Sequence, residues 1–474
     1  MINVRLTKYG MIVPIEYKTH IGLIEYGKIL KKHIITAVQP KSVKFAPVKR
    51  QAYKLDKKGN LLLPRIYLSE LKNVVPIYEC DYHPTAISSE LKVDLYDYQD
   101  DVATYIVDKL SDNGNIYLQM DTGFGKTFTG AEIAMRLGLR TVVCVPSIAL
   151  AQQWITDLKT MYDASISMFG DGVVNADFTI IVINSFIKQK PSFLEGVGTI
   201  IFDEAHEYCS KVNRQCFELA QTKYVIGLSA TPADRPDKLD RYVYLFLGNP
   251  IIAREISTNI ASVVYTAEVR KINYKSDTVE TVISAAGTVS AIGTIQSIVC
   301  DPHRLQLVAS EVLRLFNMHN QCDISLGEGS PPNPDKKHGI MVFAETRDYL
   351  PQLYDAIAQL IGADNIIAPE MAVLRGGVDA SIISELKHLK NNVVLTTYGY
   401  SRRGISLTHM TSIILATPRR NGMTQILGRI FRQGSDASII RQIVDIVDVC
   451  TSLKTQYYDR EKIYKSRNFK IISI

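Results

Sequence analysis

The chain has 474 residues, 46% hydrophobic and 22% charged, with a formal net charge of +6. That length suits roughly two to four domains, no stretch approaches the roughly 18 uninterrupted apolar residues of a membrane span, and the start, Met1-Ile2-Asn3-Val4-Arg5, lacks the charged-then-apolar pattern of a secretory leader. The seven cysteines are scattered, odd in number and without a Cys-x-x-Cys pair, which argues against a disulfide framework or a zinc cluster and fits reduced thiols in a cytosol-like compartment.

The first predicted module is residues 1–90. It carries 15 Lys and Arg against 7 Asp and Glu, a net of +8, so the other 384 residues carry −2. A positive excess confined to one segment points to a polyanion, nucleic acid above all, with a merely solvated basic face as the alternative. Short apolar runs such as Leu61-Leu62-Leu63 alternate with Lys31-Lys32, Lys49-Arg50 and Lys57-Lys58, a mixed α/β or mainly β pattern. The interleaved Tyr9, Tyr17, Tyr26, Tyr53 and Tyr67 suit base stacking or, at these spacings, core packing.

Residues 91–250 read as strand, turn and helix in repetition. Ile116–Met120, Thr141–Val145, Thr179–Ile183, Thr199–Asp203 and Val225–Ser229 are short, apolar and β-branched, as buried parallel strands should be. The third predicted segment, 251–474, begins irregularly: Ser284-Ala285-Ala286-Gly287 and Ala291-Ile292-Gly293 suggest a loop or weak helix, and Leu305–Phe316 a good helix. The Gly- and Pro-rich 325–334 reads as a loop. A second α/β series follows at Ile340–Phe343, Val393–Thr397, Ile413–Ala416 and Ile443–Val447, and the basic tail Tyr457–Lys470 reads as a helix with a frayed end. No sequence repeat is visible, yet two α/β halves imply a structural one.

Four separated segments carry chemistry. Met120-Asp121-Thr122-Gly123-Phe124-Gly125-Lys126-Thr127 lies between a predicted strand and a predicted helix, the setting of a phosphate loop. Glycines let backbone N–H groups close on phosphates, Lys126 would reach the β- and γ-phosphates and Thr127 would ligate Mg²⁺. Met120 stands where the strict pattern has its first glycine. Asp203-Glu204-Ala205-His206 ends another predicted strand. There Asp203 would hold Mg²⁺ through water and Glu204 would orient and deprotonate the attacking water. His206 would either couple the nucleotide to Ser229 or Gln425 or serve as a structural hydrogen-bond partner. Ser229-Ala230-Thr231-Pro232 ends the next strand, where hydroxyls of Ser229 and Thr231 can bridge nucleotide and groove. Far downstream, Gln425-Ile426-Leu427-Gly428-Arg429-Ile430-Phe431-Arg432 offers Arg429 and Arg432, three apart on an expected helix and so on one face, to neutralise developing γ-phosphate charge.

In this order the segments resemble the motifs of superfamily 2 helicases of the Asp-Glu-Ala-His type. Leu95-Tyr96-Asp97-Tyr98-Gln99 resembles the adenine-contacting segment, with Gln99 as reader; Pro146-Ser147-Ile148-Ala149-Leu150 and Ile183-Asn184-Ser185-Phe186 resemble motifs Ia and Ib, which usually touch the nucleic-acid backbone; Ile340–Phe343 resembles motif IV. Thr397 with Gly404-Ile405-Ser406 resembles motif V, with Ser406 where aspartate is common, and Gln425–Arg432 resembles motif VI. The apolar filling of that last motif is nearer to duplex-DNA translocases than to RNA helicases. The tracts 227–237 and 418–429 resemble a viral branch that includes the African swine fever virus helicase and the poxvirus transcript-release helicase.

The resemblance implies an α/β protein with two tandem RecA-like doubly wound parallel-sheet domains, an ATP-binding lobe at 91–250 and a second lobe at 251–474 with a basic tail, plus a small basic N-terminal accessory domain at 1–90. It implies ATP and Mg²⁺ as cofactors, with Gln99, Thr122, Gly123, Gly125, Lys126 and Thr127 around the nucleotide and Pro146, Ser185 and Thr397 on the nucleic acid. It further implies an ATP-driven DNA helicase or translocase, with duplex, forked or single-stranded DNA as partner. An RNA-directed or transcription-complex remodeller, working with RNA polymerase and never separating strands, is the alternative. No membrane is involved, a monomer is favoured, and the setting is the host cytoplasm or viral factory, with packaging in the virion.

Overall fold

A computed structural model describes residues 1–7, 10–38, 47–78, 83–121, 123–172, 175–220, 222–232, 237–257, 266–321, 338–363, 369–375, 386, 392–401, 407, 409–431 and 438–474. Two compact units divide the chain, Met1–Ala261 and Ser262–Ile474.

The first unit holds two main sheets. Strands β1 (Ile2–Thr7), β2 (Gly10–Val13), β3 (Ile34–Thr36), β4 (Lys49–Gln51), β5 (Lys54–Leu55), β6 (Leu61–Leu63) and β7 (Val74–Tyr78) form a five-stranded sheet in the order β5-β6-β2-β1-β7 and a β3–β4 hairpin. Val4, Leu6, Met11, Val13, Leu61 and Leu63 make its core. Tyr17 and Tyr26 are buried in that core, so at these two positions packing takes the ring. The module also packs on residues beyond position 90. Ala37 and Ala52, flanking β3 and β4, join a core with Phe202 and Tyr208, and the Tyr242 hydroxyl donates to the Gln51 carbonyl (3.1 Å).

Strands β8 (Asn115–Gln119), β9 (Thr141–Val145), β10 (Ile166–Met168), β11 (Phe178–Val182), β12 (Thr199–Asp203), β13 (Tyr224–Ser229) and β14 (Ile251–Ile252) form a parallel seven-stranded sheet, order β10-β11-β9-β12-β13-β8-β14. Side chains alternate between two cores: Val143, Val145 and Ile201 face one, Val142, Cys144, Ile200 and Phe202 the other. Both faces are therefore covered, which is why these strands read as unbroken apolar runs.

The second unit repeats the plan. Strands β15 (Ala267–Tyr274), β16 (Gly339–Ala344), β17 (Glu370–Leu374), β18 (Asn392–Thr397), β19 (Met410–Leu415), β20 (Arg441–Asp448) and β21 (Lys470–Ser473) form a parallel sheet in the order β17-β18-β16-β19-β20-β15-β21. Numbered within its own sheet, each unit reads 3-4-2-5-6-1-7. The structural repeat implied by the two α/β halves is present, strand for strand.

Three expectations change. The tail is a helix only over Thr455–Ser466, and Lys470–Ser473 is β21, paired in parallel with β15. Residues 282–290 form a small antiparallel hairpin, closed by the Ile283–Val289 bridge, before a helix at Ala291–Val299. The helix of the last motif ends at Leu427; Arg429 N–H donates to Ile426 O and Ile430 N–H to Leu427 O, two three-residue turns that both span Gly428.

Candidate nucleotide and nucleic-acid site

In a parallel sheet all carboxyl ends share one edge, and ligands bind there. In the first unit that edge collects most of the expected residues. Adjacent strands β12, β13 and β8 end in Asp203, Ser229 and Gln119, and Met120 N–H donates to the Ser229 carbonyl (3.0 Å).

After β8 the chain turns through Gly123 (φ +90°) and Gly125 (φ +74°) into the helix Lys126–Leu137. Gly125 is the helix N-cap in left-handed conformation, and a Cβ there would meet the Gln99 amide. Two independent constraints thus demand glycine. Gln99 is buried; its Oε1 accepts from Tyr96 N–H (3.0 Å) and its Nε2 lies 3.5 Å from Gly125 O. The expected base reader therefore braces the phosphate loop from behind. Thr127 is half-buried in the first turn of the helix, and Thr122 lies outside the described residues.

Lys126 Nζ forms an ion pair with Glu204 Oε1, both side chains largely buried. Glu204 has φ +51°, the left-handed region that a non-glycine residue occupies only under constraint. This turn aims its carboxylate at the helix start rather than along β12. Beside it, Asp203 is buried, with Oδ2 accepting from Trp154 Nε1–H (2.9 Å) and Oδ1 from Glu204 N–H (2.9 Å). Burial pushes the Asp203 carboxyl up; Lys126 pulls it back, Glu204 adds to the rise and the indole N–H opposes it. An ionisable oxygen left in so dry a place suits an added cation. Asp203 with the Thr127 hydroxyl is an oxygen-only donor set of the kind Mg²⁺ prefers.

His206 is buried, its Nδ1 2.8 Å from Ser229 Oγ and 3.4 Å from Glu204 Oε2. Ser229 Oγ also accepts from Thr231 N–H (3.0 Å). The His206–Ser229 contact is made, as both the coupling and the structural reading of His206 expect. Hydrogen bonds thus join His206, Ser229 and Thr231, and the Glu204 carboxylate lies within 3.4 Å of the imidazole at one end.

Pro146 and Ser185 follow β9 and β11 on the same edge. Ser147, next to Pro146, caps the helix Ile148–Met161 through Leu150 N–H (3.4 Å). Ser185 is half-buried, and its carbonyl accepts from Gln189 Nε2 (2.8 Å). Within the second unit, Thr397 ends β18; it is buried and its hydroxyl accepts from Tyr400 N–H (3.2 Å). Gln425 lies in the short helix Met423–Leu427 and Arg429 is buried just beyond it. Arg432 and 404–406 lie outside the described residues.

Trp154 and Arg254 were not anticipated. Trp154 is the only tryptophan in the chain, and its N–H holds Asp203 from the helix behind. Arg254, in the short helix Ala253–Ile256, pairs with Asp121 (2.5 Å) and lies 4.9 Å from the Phe124 ring centroid. Tyr98 also holds the loop, its hydroxyl donating to Phe124 O (2.9 Å). Asp121 and Phe124 fill the variable positions of the loop, so no motif marks their partners.

A glycine-turned phosphate loop, an acidic pair two strands away and a duplicated parallel sheet define an ATP-dependent helicase of superfamily 2, and the chain belongs to that family. Residues 92–234 match the family described as type III restriction enzyme, res subunit. An African swine fever virus protein (isolate Tick/Malawi/Lil 20-1/1983), which carries the provisional name ATP-dependent RNA helicase QP509L, is 36% identical over 471 residues, covering 94% of this chain and 88% of its own. A protein of invertebrate iridescent virus 6, provisionally named helicase 161L, is 24% identical over 81% of this chain and 85% of its own. The fold matches the DNA-bound type ISP restriction-modification enzyme LlaBIII (TM-score 0.55, 13% identity, 81% of this chain and 31% of that one) and S. cerevisiae Dbp5 bound to RNA and ADP BeF3 (TM-score 0.52, 13% identity, 79% and 89%).

Proposed function

We propose that this ATP-dependent helicase is a DNA translocase. The Lys126–Glu204 pair at the head of the Lys126–Leu137 helix, beside buried Asp203, carries the reading. When ATP binds, the ammonium of Lys126 leaves Glu204 for the phosphates, and Glu204 is freed to take a proton from water. The helix N-terminus and the amides around Gly123 and Gly125 receive phosphate oxygens. Asp203 and Thr127 hold Mg²⁺, which supplies charge neutralisation on the phosphates. Gln425, Arg429 and Arg432 are assigned to the charge that develops on the γ-phosphate. His206, Ser229 and Thr231 relay the state of Glu204 towards the nucleic acid, whose backbone is assigned to Pro146, Ser185 and Thr397.

DNA is favoured by the apolar filling of Gln425–Arg432 and by the match of residues 92–234 to a restriction-enzyme subunit. The exposed Lys57-Lys58 at the β5–β6 turn adds phosphate contacts in the basic module. A second reading, an RNA-directed remodeller of transcription complexes, is favoured by the names of the viral relatives. Both place the chain in a virus that works in the host cytoplasm, as a monomer.

Translocation is tested by ATP-driven displacement of streptavidin from biotinylated strands. The expected result is displacement from one end of DNA only, 3′ to 5′ by family resemblance, and none with Lys126→Ala. Equal activity in that variant overturns the site; displacement from RNA alone transfers the proposal to the second reading.

A further inference from the structure

Arg419 belongs to none of the motifs that carry the site, yet four neighbouring strands of the second sheet are tied together at it. The strand order sets β18, β16, β19 and β20 side by side, so their carboxyl ends share one stretch of the sheet edge. The chain leaves β19 at Leu415 and reaches Arg419 four residues on. There Arg419 Nη1 donates to both oxygens of Glu345 (2.9 and 2.8 Å), the first residue after β16. The guanidinium carbon lies 5.3 Å from the ring centroid of Tyr398, the first residue after β18. The Arg419 carbonyl accepts from Arg460 Nη1 (2.7 Å), and Arg460 also grips Asp445 of β20. Two further bonds keep these ends in step. Glu345 N–H donates to Thr417 Oγ1 (2.9 Å) and the Tyr398 hydroxyl to Thr417 O (2.6 Å).

Folding stability does not account for this arrangement. The side chains of Arg419 and Glu345 are 21% and 34% exposed, and a pair so open to water adds little to stability. The buried pairs of Arg304 and Arg460 already fasten the sheet to its helices. What Arg419 adds is direction. Its Nε donates to Asn421 O (3.1 Å), closing a turn that leads to Gly422 at φ +75°, the N-cap of the helix Met423–Leu427. That helix has no side-chain cap, so its start is set by the turn that Arg419 closes, while Met423, Ile426 and Leu427 bury its inner side.

The guanidinium thus faces two ways. On one side, Tyr398 adjoins Thr397, and Glu345 follows Ala344, which pairs in register with Thr397. These are the strand ends beside the second unit's nucleic-acid candidate. On the other side, the Asn421 turn opens the helix that carries Gln425 and precedes Arg429. Only an arginine suits the position, because a lysine has no planar face for Tyr398 and no fixed fork to serve Glu345 and Asn421 together.

We propose that Arg419 is a positioning residue that carries the state of the strand ends at Thr397 and Glu345 to Gln425 and Arg429. Nucleic acid that shifts either strand end shifts the guanidinium, and the Asn421 turn passes the shift to the start of the helix. The inference deepens the reading of the chain as a nucleic-acid-driven ATPase and rests on it.

The test measures kcat and KM for ATP on the full chain, first without nucleic acid, then with saturating single-stranded DNA, then with RNA of the same sequence. Arg419→Ala should lower the stimulated kcat about tenfold, with basal kcat and KM for ATP staying within about twofold of wild type. Arg419→Lys, which keeps the charge opposite Glu345 but not the fork, should fall between the two. Glu345→Ala should add little to the loss already caused by Arg419→Ala, since both changes break one linkage. An equal loss of basal and stimulated kcat makes Arg419 merely structural and overturns the proposal. An unchanged stimulated kcat, or losses at Arg419 and Glu345 that simply add, overturns it too and leaves the motor standing. A wild-type chain whose turnover neither polymer raises refutes motor and positioning together.

Discussion

The two units share one strand order and use buried carboxylates in opposite ways. In the first, Asp203 at the end of β12 is held by an indole N–H and a backbone amide, and the cation that opposes its raised pKa, Lys126, is paired with Glu204. In the second, Asp445 and Asp448 near the end of β20 are each gripped by an arginine fork. Arg460 donates twice to Asp445 (2.8 Å each), with the Tyr464 hydroxyl adding a third bond (2.8 Å). Arg304 donates to both oxygens of Asp448 (2.5 and 3.0 Å) and also to Ala416 O. Burial works against the Arg304 charge, yet Asp448 holds its pKa above the usual value. The first arrangement leaves charge for a ligand to complete, while the second is complete and fastens the helices Pro302–Gln321 and Thr455–Ser466 to the sheet. A buried acid on this scaffold is thus read by what its counterion can leave, not by its strand position.

The largest effect should come from breaking the open arrangement. Lys126→Ala and Glu204→Gln should each cut steady-state ATP turnover by about 10³-fold, with folding intact by circular dichroism. Residual turnover near wild type in either variant would remove that residue from the site.

Next comes a matched pair. Asp445→Asn leaves Arg460 buried without its counter-charge and should cost about 3 kcal/mol in urea unfolding. The same change at Asp203 should stabilise the nucleotide-free protein at neutral pH, by about 1 kcal/mol. The sign comes from the raised pKa of Asp203. Such a group contributes most to stability below its unfolded pKa, and that contribution is lost as pH rises through the folded value. The gain from Asp203→Asn should therefore be small in acid, grow through and above the ordinary carboxylate range, and level off. A loss of stability at both positions would erase the contrast between the units.

The smallest effect sharpens the phosphate loop. Arg254→Ala frees Asp121 and Phe124 and should raise KM for ATP about threefold, with kcat less affected. An unchanged KM would make Arg254 a bystander.

Much of this was legible in the sequence because buried parallel strands leave an unambiguous trace. Thr141–Val145 and Thr199–Asp203 begin and end where the apolar runs do. The phosphate loop was legible despite Met120 because strand and helix bracket it. What stayed hidden depends on distant partners. β15 mixes Glu268, Arg270 and Lys271 into a half-buried strand, and β21 is four residues whose pairing lies about 200 positions upstream. The 282–290 hairpin lacks alternation because its tip is apolar on exposed faces, against the usual rule. Arg254 and Trp154 act through tertiary approach alone. The break after Leu427 was the clearest avoidable miss, since Gly428 stands at it.

An ATP-driven motor directed at DNA should answer to DNA in its turnover. ATPase turnover measured with no nucleic acid, single-stranded DNA, duplex DNA, forked DNA and RNA tests it most directly. A DNA activator should raise turnover most, by about tenfold or more, and Glu204→Gln should abolish the response. RNA as the strongest activator, or no response to any of them, would contradict it.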